Sequence, residues 1–207
     1  PRLGKITVNN AHPNARGGRL QRPPTLGGSH IGTFRQILYR HGLTMGALAL
    51  LVSASPNAQE YIVRTTDSFV NHPTSYLIAG IMLLAFFVYY QQKRGYRRSQ
   101  RNNLWLVYLL YISVVEELTF RLLLPLAASS TVDFYLAVII SNLIFATIHY
   151  VTLRWHLRNC LFVFIGGMGF SHMLASHQDL TAGILAPWFF TFLNTPAPPA
   201  GDRQTQR

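Results

Sequence analysis

Acidic residues are scarce in this chain of 207 residues, which has seven Asp and Glu against 18 Lys and Arg. All charged residues together make up 12% of the chain, whereas hydrophobic residues make up 49%. A soluble globular domain ordinarily has about 25% charged residues. The composition therefore argues against a soluble domain and favours a chain that folds in a lipid bilayer.

Cysteine is almost absent, since Cys160 is the single one, and this excludes an intramolecular disulfide framework. Residues 1–30 are rich in Gly, Pro, Asn and Arg and lack the apolar core of a secretory signal peptide. We therefore expect a basic flexible tail over 1–30, without a cleavable signal, and a second flexible tail over 196–207. The folded part is expected to cover 31–195.

The net charge of +11 raises the question of nucleic acid as a partner. A nucleic-acid module usually carries its Lys and Arg on one folded face. Here the basic residues instead cluster between apolar runs. The sequence therefore predicts the lipid bilayer as a partner and no binding of nucleic acid.

The apolar runs predict the fold, because a helix that spans a membrane needs about 20 mostly apolar residues. Three runs meet this length well, and three more are shorter or contain small residues or proline. The long runs are 75–91, 104–126 and 134–153, and the shorter ones are 37–53, 159–175 and 180–194. The sequence therefore predicts an all-α, polytopic membrane helix bundle of about six spans.

The basic loops predict the orientation, because Lys and Arg that flank spans remain on the cytoplasmic side. With six spans, residues 1–40, the loops at 93–101 and 154–158 and the C-terminal tail hold 16 basic residues, and all of these basic residues fall on one side. The opposite side keeps only Arg64, in a segment at 53–74 that is long enough to hold structure of its own. Both termini are therefore expected to be cytoplasmic.

The third predicted span contains Glu116, Glu117 and Arg121, each of which costs about 2.5–3.5 kcal/mol when ionised inside a membrane. Glu117 and Arg121 are spaced i,i+4 and can pair on one face of a helix. Glu116 points about 100° away around the helix, so it needs another partner, a proton or a water-filled cavity. A carboxyl so placed can serve as a general base. The alternative is that the charges only hold two helices together.

The fourth predicted span places Asn142, Phe145 and His149 at i, i+3 and i+7, so they share one helical face. A single His in an apolar helix is more often structural than catalytic. The acidic pair on the preceding span favours a function for His149. By contrast, His172 and His177 lie near the opposite end of the fifth span, and we expect them to lie apart from any site.

The motif EE-x-x-x-R at 116–121, followed by F-x-x-x-H at 145–149, resembles the CPBP family of intramembrane peptidases. This family includes the CAAX prenyl-endopeptidase, bacteriocin-processing and Abi types, and the resemblance covers about 104–194. It implies a hydrolase that cleaves a peptide bond in a membrane-associated protein or C-terminal tail. It also implies a cell-membrane location, most readily a prokaryotic inner membrane.

The third motif of the family, H-x-x-x-N after an A-P dipeptide, is incomplete in this chain. Asn194 and the A-P dipeptide are present, but Thr191 or Phe190 stands where the family has His. The resemblance implies that Asn194, with Thr191, stabilises the oxyanion, and that Asn142 and Phe145 belong to the substrate and oxyanion region. Members of the family that process sorting tags also depart from this motif, which implies a membrane-anchored tail as the substrate.

The resemblance implies that Glu116, assisted by His149, activates a water molecule while Glu117 and Arg121 maintain the geometry. Zinc catalysis normally uses three protein ligands, and without the third-motif His the ligand set is poor. We therefore expect no cofactor and a glutamate mechanism, with a divalent metal as the competing account. Two other functions stay open, a non-catalytic scaffold or immunity protein with the same fold and a proton-coupled carrier.

Overall fold

The computed structural model describes residues 33–55, 57–96 and 98–199. These residues form seven helices and no strand, which confirms the all-α prediction. The helices are α1 Phe34–Ser53, α2 Ala58–Asn71, α3 Pro73–Lys93, α4 (Gln100–Glu116, Glu117–Leu123 and Leu124–Ala128), α5 Phe134–Leu153, α6 Leu157–His177 and α7 Leu180–Asn194. The predicted tail at 1–30 and most of the tail at 196–207 lie outside the described residues.

The helices begin at residues that satisfy their first backbone N–H groups. Asp133 accepts from Tyr135 N at 2.9 Å at the start of α5, and Asp179 accepts from Ala182 N at 3.0 Å at the start of α7. Thr33 and Ser99 cap α1 and α4 in the same way. These caps explain why the chain turns where it does between apolar runs.

Helix α4 provides most of the core among the described residues. Seven of the thirteen buried residues in the main hydrophobic cluster come from it: Trp105, Leu106, Tyr108, Leu109, Ile112, Val115 and Phe120. The other helices contribute two residues or fewer each. A polar residue on the buried face of α4 is therefore shielded from lipid by its neighbours.

Three helices pack around α4 in defined directions. Helix α7 is antiparallel, because Trp105 Nε1 donates to Thr195 O at 2.8 Å, whereas Leu122 shares a cluster with Leu180. Helix α1 is parallel, with Phe34 against Trp105 at a ring distance of 5.3 Å. Helix α5 is antiparallel and begins after a short turn. These directions bring the middle of α1, the second half of α4 and the end of α5 together.

The outer surface of the bundle is strongly apolar. Only 6% of the most apolar stretch of α3 is buried, and the corresponding fraction is 22% for α6. Leu77, Ile81 and Met82 on α3 are each more than half exposed. Because such a surface is unfavourable in water and favourable in lipid, the chain is a membrane protein.

Three helices in the described parts of the chain are long and apolar enough to cross a membrane: α3, α5 and α6. A fourth crossing results if α1 and α2, bent by 107°, count as one span. The predicted spans at 75–91, 134–153 and 159–175 fall within α3, α5 and α6. The prediction of six spans with cytoplasmic termini stays a prediction. The segment at 53–74 does hold structure, because it contains α2.

Two helices contain π-helical segments, Leu38–Gly42 in α1 and Glu117–Leu123 in α4. Such segments occur often at functional sites, since the extra residue per turn changes where side chains point. Pro125 follows the second segment and lacks the N–H that an α-helix would direct at the carbonyl of Arg121. The second segment packs against Leu43–Ser53, the part of α1 that follows its own π-helical segment.

The packing of α7 predicts that two of its phenylalanines contribute very differently to the stability of the fold. Phe192 is fully buried and stacks on Phe87 at a ring distance of 4.0 Å, whereas Phe190 is 52% exposed. We expect Phe192→Ala to lower the free energy of unfolding by about 3–5 kcal/mol, because it leaves a cavity. Phe190→Ala serves as the control and is expected to have little effect. Unfolding in mixed detergent micelles measures both, and equal losses would contradict this packing.

Candidate active site

Glu116 is the last residue before the π-helical segment of α4 and is 8% exposed. The antiparallel packing of α5 brings its last turns next to this carboxylate. His149 Nε2 lies 3.5 Å from Glu116 Oε1, and His149 is 5% exposed. Glu116 and His149, the candidate residues on two separate spans, are thus in direct contact, and no water molecule fits between them.

A second imidazole contacts the same carboxylate oxygen. His41, on the π-helical segment of α1, has its Nε2 atom 3.1 Å from Glu116 Oε1 and is 3% exposed. The rings of His41 and His149 are 4.7 Å apart. Three buried polar side chains from three helices therefore form one cluster, which we call the Glu116 cluster: His41, Glu116 and His149.

Hydrogen bonds on the far side of each ring determine how the imidazoles face Glu116. Thr152 donates its hydroxyl hydrogen to Ile148 O at 2.7 Å, so its oxygen accepts from His41 Nδ1–H at 2.9 Å. His149 Nδ1–H donates to Phe145 O at 3.0 Å. In the neutral rings, both Nε2 lone pairs therefore point toward Glu116 Oε1.

Glu117 and Arg121 form a separate ion pair beside the cluster. Arg121 Nε lies 3.5 Å from Glu117 Oε1, and the two residues are 6% and 1% exposed. The Arg121 guanidinium also lies 3.9 Å from the centre of the Phe145 ring, where cation–π attraction is favourable. Arg121 thus pairs with Glu117, whereas the described ionisable groups within 3.5 Å of the Glu116 carboxylate are the two imidazoles.

Asn142 is fully buried and held in place by two hydrogen bonds. Its amide donates to Val138 O and to Ser171 Oγ, both at 2.9 Å, which ties α5 to α6. A Cβ atom on Gly167 of α6 would lie 2.2 Å from Asn142 Oδ1 and 3.0 Å from Arg121 Nη2. Only glycine leaves room for these two side chains at this point.

Polar atoms without a hydrogen-bond partner are concentrated around the site. In the parts of the chain that the structure describes, six buried side-chain atoms lack one: Tyr108 Oη, Glu117 Oε2, Thr119 Oγ1, Arg121 Nε, Arg121 Nη1 and Asn142 Oδ1. All belong to α4 or α5. Each such group costs about 1–3 kcal/mol, and such a concentration is more typical of a functional site than of a structural core.

The structure does not bring Asn194 and Thr191 to the Glu116 cluster. Asn194 is exposed at the end of α7, and the next residue, Thr195, contacts Trp105. Trp105 precedes Glu116 by 11 residues, which is about 16 Å along α4. The antiparallel course of α7 thus places its last turn at the other end of α4. His172 and His177 are exposed on α6, as expected for residues outside the site.

The sequence pattern did not single out His41. It lies 75 residues before Glu116, in one of the shorter predicted spans, and belongs to neither of the two complete motifs. Thr152, its hydrogen-bond partner, follows His149 by three residues and also lies outside both motifs. The available signal was weak, namely a histidine inside an apolar run whose buried polar group needs a partner.

A carboxylate and two imidazoles buried in the core of a helical membrane protein mark a candidate functional site. Residues 99–193 match a family model that is described as type II CAAX prenyl endopeptidase, Rce1-like. The predicted resemblance to an intramembrane protease family is therefore confirmed for this segment, in agreement with the CPBP family. The match includes Glu116 and His149 and leaves out His41.

No curated protein and no solved structure matches the chain. The similarity to the family covers residues 99–193, and the two complete motifs lie inside this segment.

Because Asn142 and Arg121 lie so close to Gly167, one methyl group added at this position is expected to destabilise the fold. We expect Gly167→Ala to lower the free energy of unfolding by about 1–3 kcal/mol, because Asn142 is fixed by two hydrogen bonds and cannot move away freely. Gly166→Ala is the matched control, since nothing lies within 4 Å of its Cβ position. Unfolding in mixed micelles measures both, and a neutral Gly167→Ala would show that the contact is not tight.

The buried ion pair predicts that substitutions of Glu117 and Arg121 have non-additive effects on the free energy of unfolding. Glu117→Gln and Arg121→Met are each expected to lower the free energy of unfolding by about 3–5 kcal/mol, since each leaves one buried charge without its partner. The double variant is expected to lose clearly less than the sum of the two. Asp67→Asn, on the exposed surface of α2, is the control. Additive losses would indicate that the two charges do not depend on each other.

Proposed function

We propose that the protein is an intramembrane endopeptidase in which Glu116, assisted by His149, activates a water molecule. The substrate is a membrane-associated protein or a C-terminal tail, and the location is the cell membrane. The observation that carries this proposal is the contact of the buried Glu116 carboxylate with the Nε2 atom of His149 at 3.5 Å. The match to a prenyl endopeptidase family supports the reaction class.

In the proposed reaction, Glu116 accepts a proton from water while the water oxygen bonds to the carbonyl carbon of the peptide. The C–N bond then breaks, and the accepted proton passes to the leaving amine. His149 supports both transfers, because its Nε2 atom faces the same carboxylate oxygen and its ring is oriented by Phe145 O. A positioned general base contributes about 10²–10⁴ in rate.

The remaining site residues have supporting roles in this proposal. Glu117 neutralises Arg121, and Arg121 lies over Phe145, so the face of α5 that carries His149 is held in place. Asn142 fixes α5 to α6. The exposed position of Asn194 gives no support for an oxyanion role, and the proposed mechanism therefore does not use Asn194 or Thr191.

The main prediction concerns Glu116. We expect Glu116→Gln to lower the rate of tail cleavage by about 10²–10⁴, because the amide cannot accept the proton of water. His149→Gln is expected to lower it by a similar factor. The measurement uses the full chain in proteoliposomes with a panel of membrane-anchored tail peptides, prenylated and unprenylated.

Glu60→Gln is the matched control, because Glu60 is exposed on α2 and distant in sequence from the matched domain. It is expected to cleave like the parent. A parent that cleaves no peptide of the panel would contradict the protease proposal. Full cleavage by Glu116→Gln would contradict the assigned base, and a cellular phenotype that survives this substitution would instead favour a scaffold.

A further inference from the structure

Residues 195–199, with the sequence Thr-Pro-Ala-Pro-Pro, follow α7 and are half-buried. Three side chains from α3 and α4 donate hydrogen bonds to backbone carbonyl groups of this segment, and we call them the Trp105 donor set. The bonds are Gln91 Nε2 to Pro196 O at 2.6 Å, Arg101 Nη2 to Pro199 O, and Trp105 Nε1 to Thr195 O at 2.8 Å. The segment is thus bound through its backbone, by side chains from two other helices.

The segment is chemically one-sided, because proline has no backbone N–H group. Three of its five residues are prolines, so Thr195 and Ala197 are the two that carry a backbone donor. Thr195 N donates to Thr191 O at 2.9 Å, within the last turn of α7. The segment therefore presents mainly carbonyl acceptors, and a surface that binds its backbone must supply donors.

The Trp105 donor set is complementary to this pattern, since indole and guanidinium groups are donors only and the Gln91 amide contributes its NH₂ group. Gln91 and Trp105 are only 5% and 3% exposed. The indole of Trp105 is fixed by the rings of Phe34 and Tyr108, each at a ring distance of 5.3 Å. Because a buried donor without an acceptor is unfavourable, these side chains require an occupant that presents carbonyl groups.

The sequence of the segment lowers the entropic cost of its binding. Proline fixes its own φ angle and restricts the residue before it to extended conformations. Thr195, Ala197 and Pro198 each precede a proline. The segment therefore has little conformational freedom to lose when it binds. Recognition of proline-rich peptides at aromatic-lined surfaces exploits the same low cost.

We propose that Gln91, Arg101 and Trp105 form a recognition site for a proline-rich peptide, and that residues 195–199 occupy it in cis as a ligand that a second peptide can replace. The kind of partner that fits is a proline-rich segment next to an apolar helix, as residues 195–199 directly follow α7. Trp105 lies about 16 Å along α4 from Glu116. The site is therefore separate from the Glu116 cluster, and the proposal does not rest on the protease function.

The test uses the full chain, purified in detergent, and a fluorescent peptide with the sequence Thr-Pro-Ala-Pro-Pro. A glycine variant combines Pro196→Gly, Pro198→Gly and Pro199→Gly, which keeps the length of the segment and raises the entropic cost of its binding. In the parent, the linked segment competes at an effective concentration in about the millimolar range. We expect the glycine variant to bind the peptide about 10–100-fold more tightly than the parent, measured by fluorescence anisotropy.

Substitution of a donor shows whether the proposed site binds the peptide. In the glycine variant, Gln91→Leu removes one buried donor and is expected to weaken peptide binding by about 2–10-fold. Gln92→Leu is the matched control, because Gln92 is exposed on the same turn of α3, and it is expected to bind like its background. Thermal unfolding reports whether each variant folds. If Gln91→Leu does not fold, Arg101→Met at an exposed position supplies the same comparison.

The outcomes separate a recognition site from a structural clamp. A folded glycine variant that binds no peptide overturns the site, and so does a donor variant that binds as well as its background. Equal binding of the peptide Thr-Ala-Ala-Ala-Ala contradicts the preference for proline. Equal binding by the parent and the glycine variant contradicts occupancy in cis. Because peptide binding is measured without cleavage, a failure of the protease proposal leaves these results unchanged.

Discussion

A carboxylate enclosed by apolar helices is stable only when polar partners lie close to it, and Glu116 imposes this requirement on the whole bundle. Two imidazoles lie closest to it, with Nε2 atoms 3.1 and 3.5 Å from Oε1, and each contact is favourable when a hydrogen lies between the oxygen and the nitrogen. One ring comes from α1, which runs parallel to α4, and the other from the end of α5, which returns antiparallel. Three helices thus meet at one buried oxygen.

Adjacent acids on α4 have different environments because neighbouring helical residues point about 100° apart. Glu117 lies on the side of Arg121 and Phe145, where the charges of the pair compensate each other. Glu116 lies on the side of α1 and the end of α5. The π-helical segment begins between the two residues and alters the direction of the side chains that follow. One short motif thus supplies both a structural ion pair and a candidate reactive carboxylate.

Much of this arrangement could be predicted from sequence, and the reasons are local. Glu117 and Arg121 pair as their i,i+4 spacing indicates, and Asn142, Phe145 and His149 are all buried on one face of α5. The contact of Glu116 with His149 was expected from two motifs on neighbouring helices. The position of Asn194 could not be predicted in the same way. An incomplete motif indicates a residue type, but it does not indicate where the last turn of α7 lies. His41 had no motif to indicate it.

By itself, the sequence determined the helical membrane fold, the resemblance to a peptidase family and the local pairing of charges, since hydropathy and residue spacing act within one helix. The tertiary structure decided which side chains from distant helices meet at Glu116. It brought in His41 across 75 residues and placed Asn194 at the other end of α4. Such choices depend on the packing of whole helices, in which the parallel course of α1 and the antiparallel course of α7 are set by contacts throughout the core.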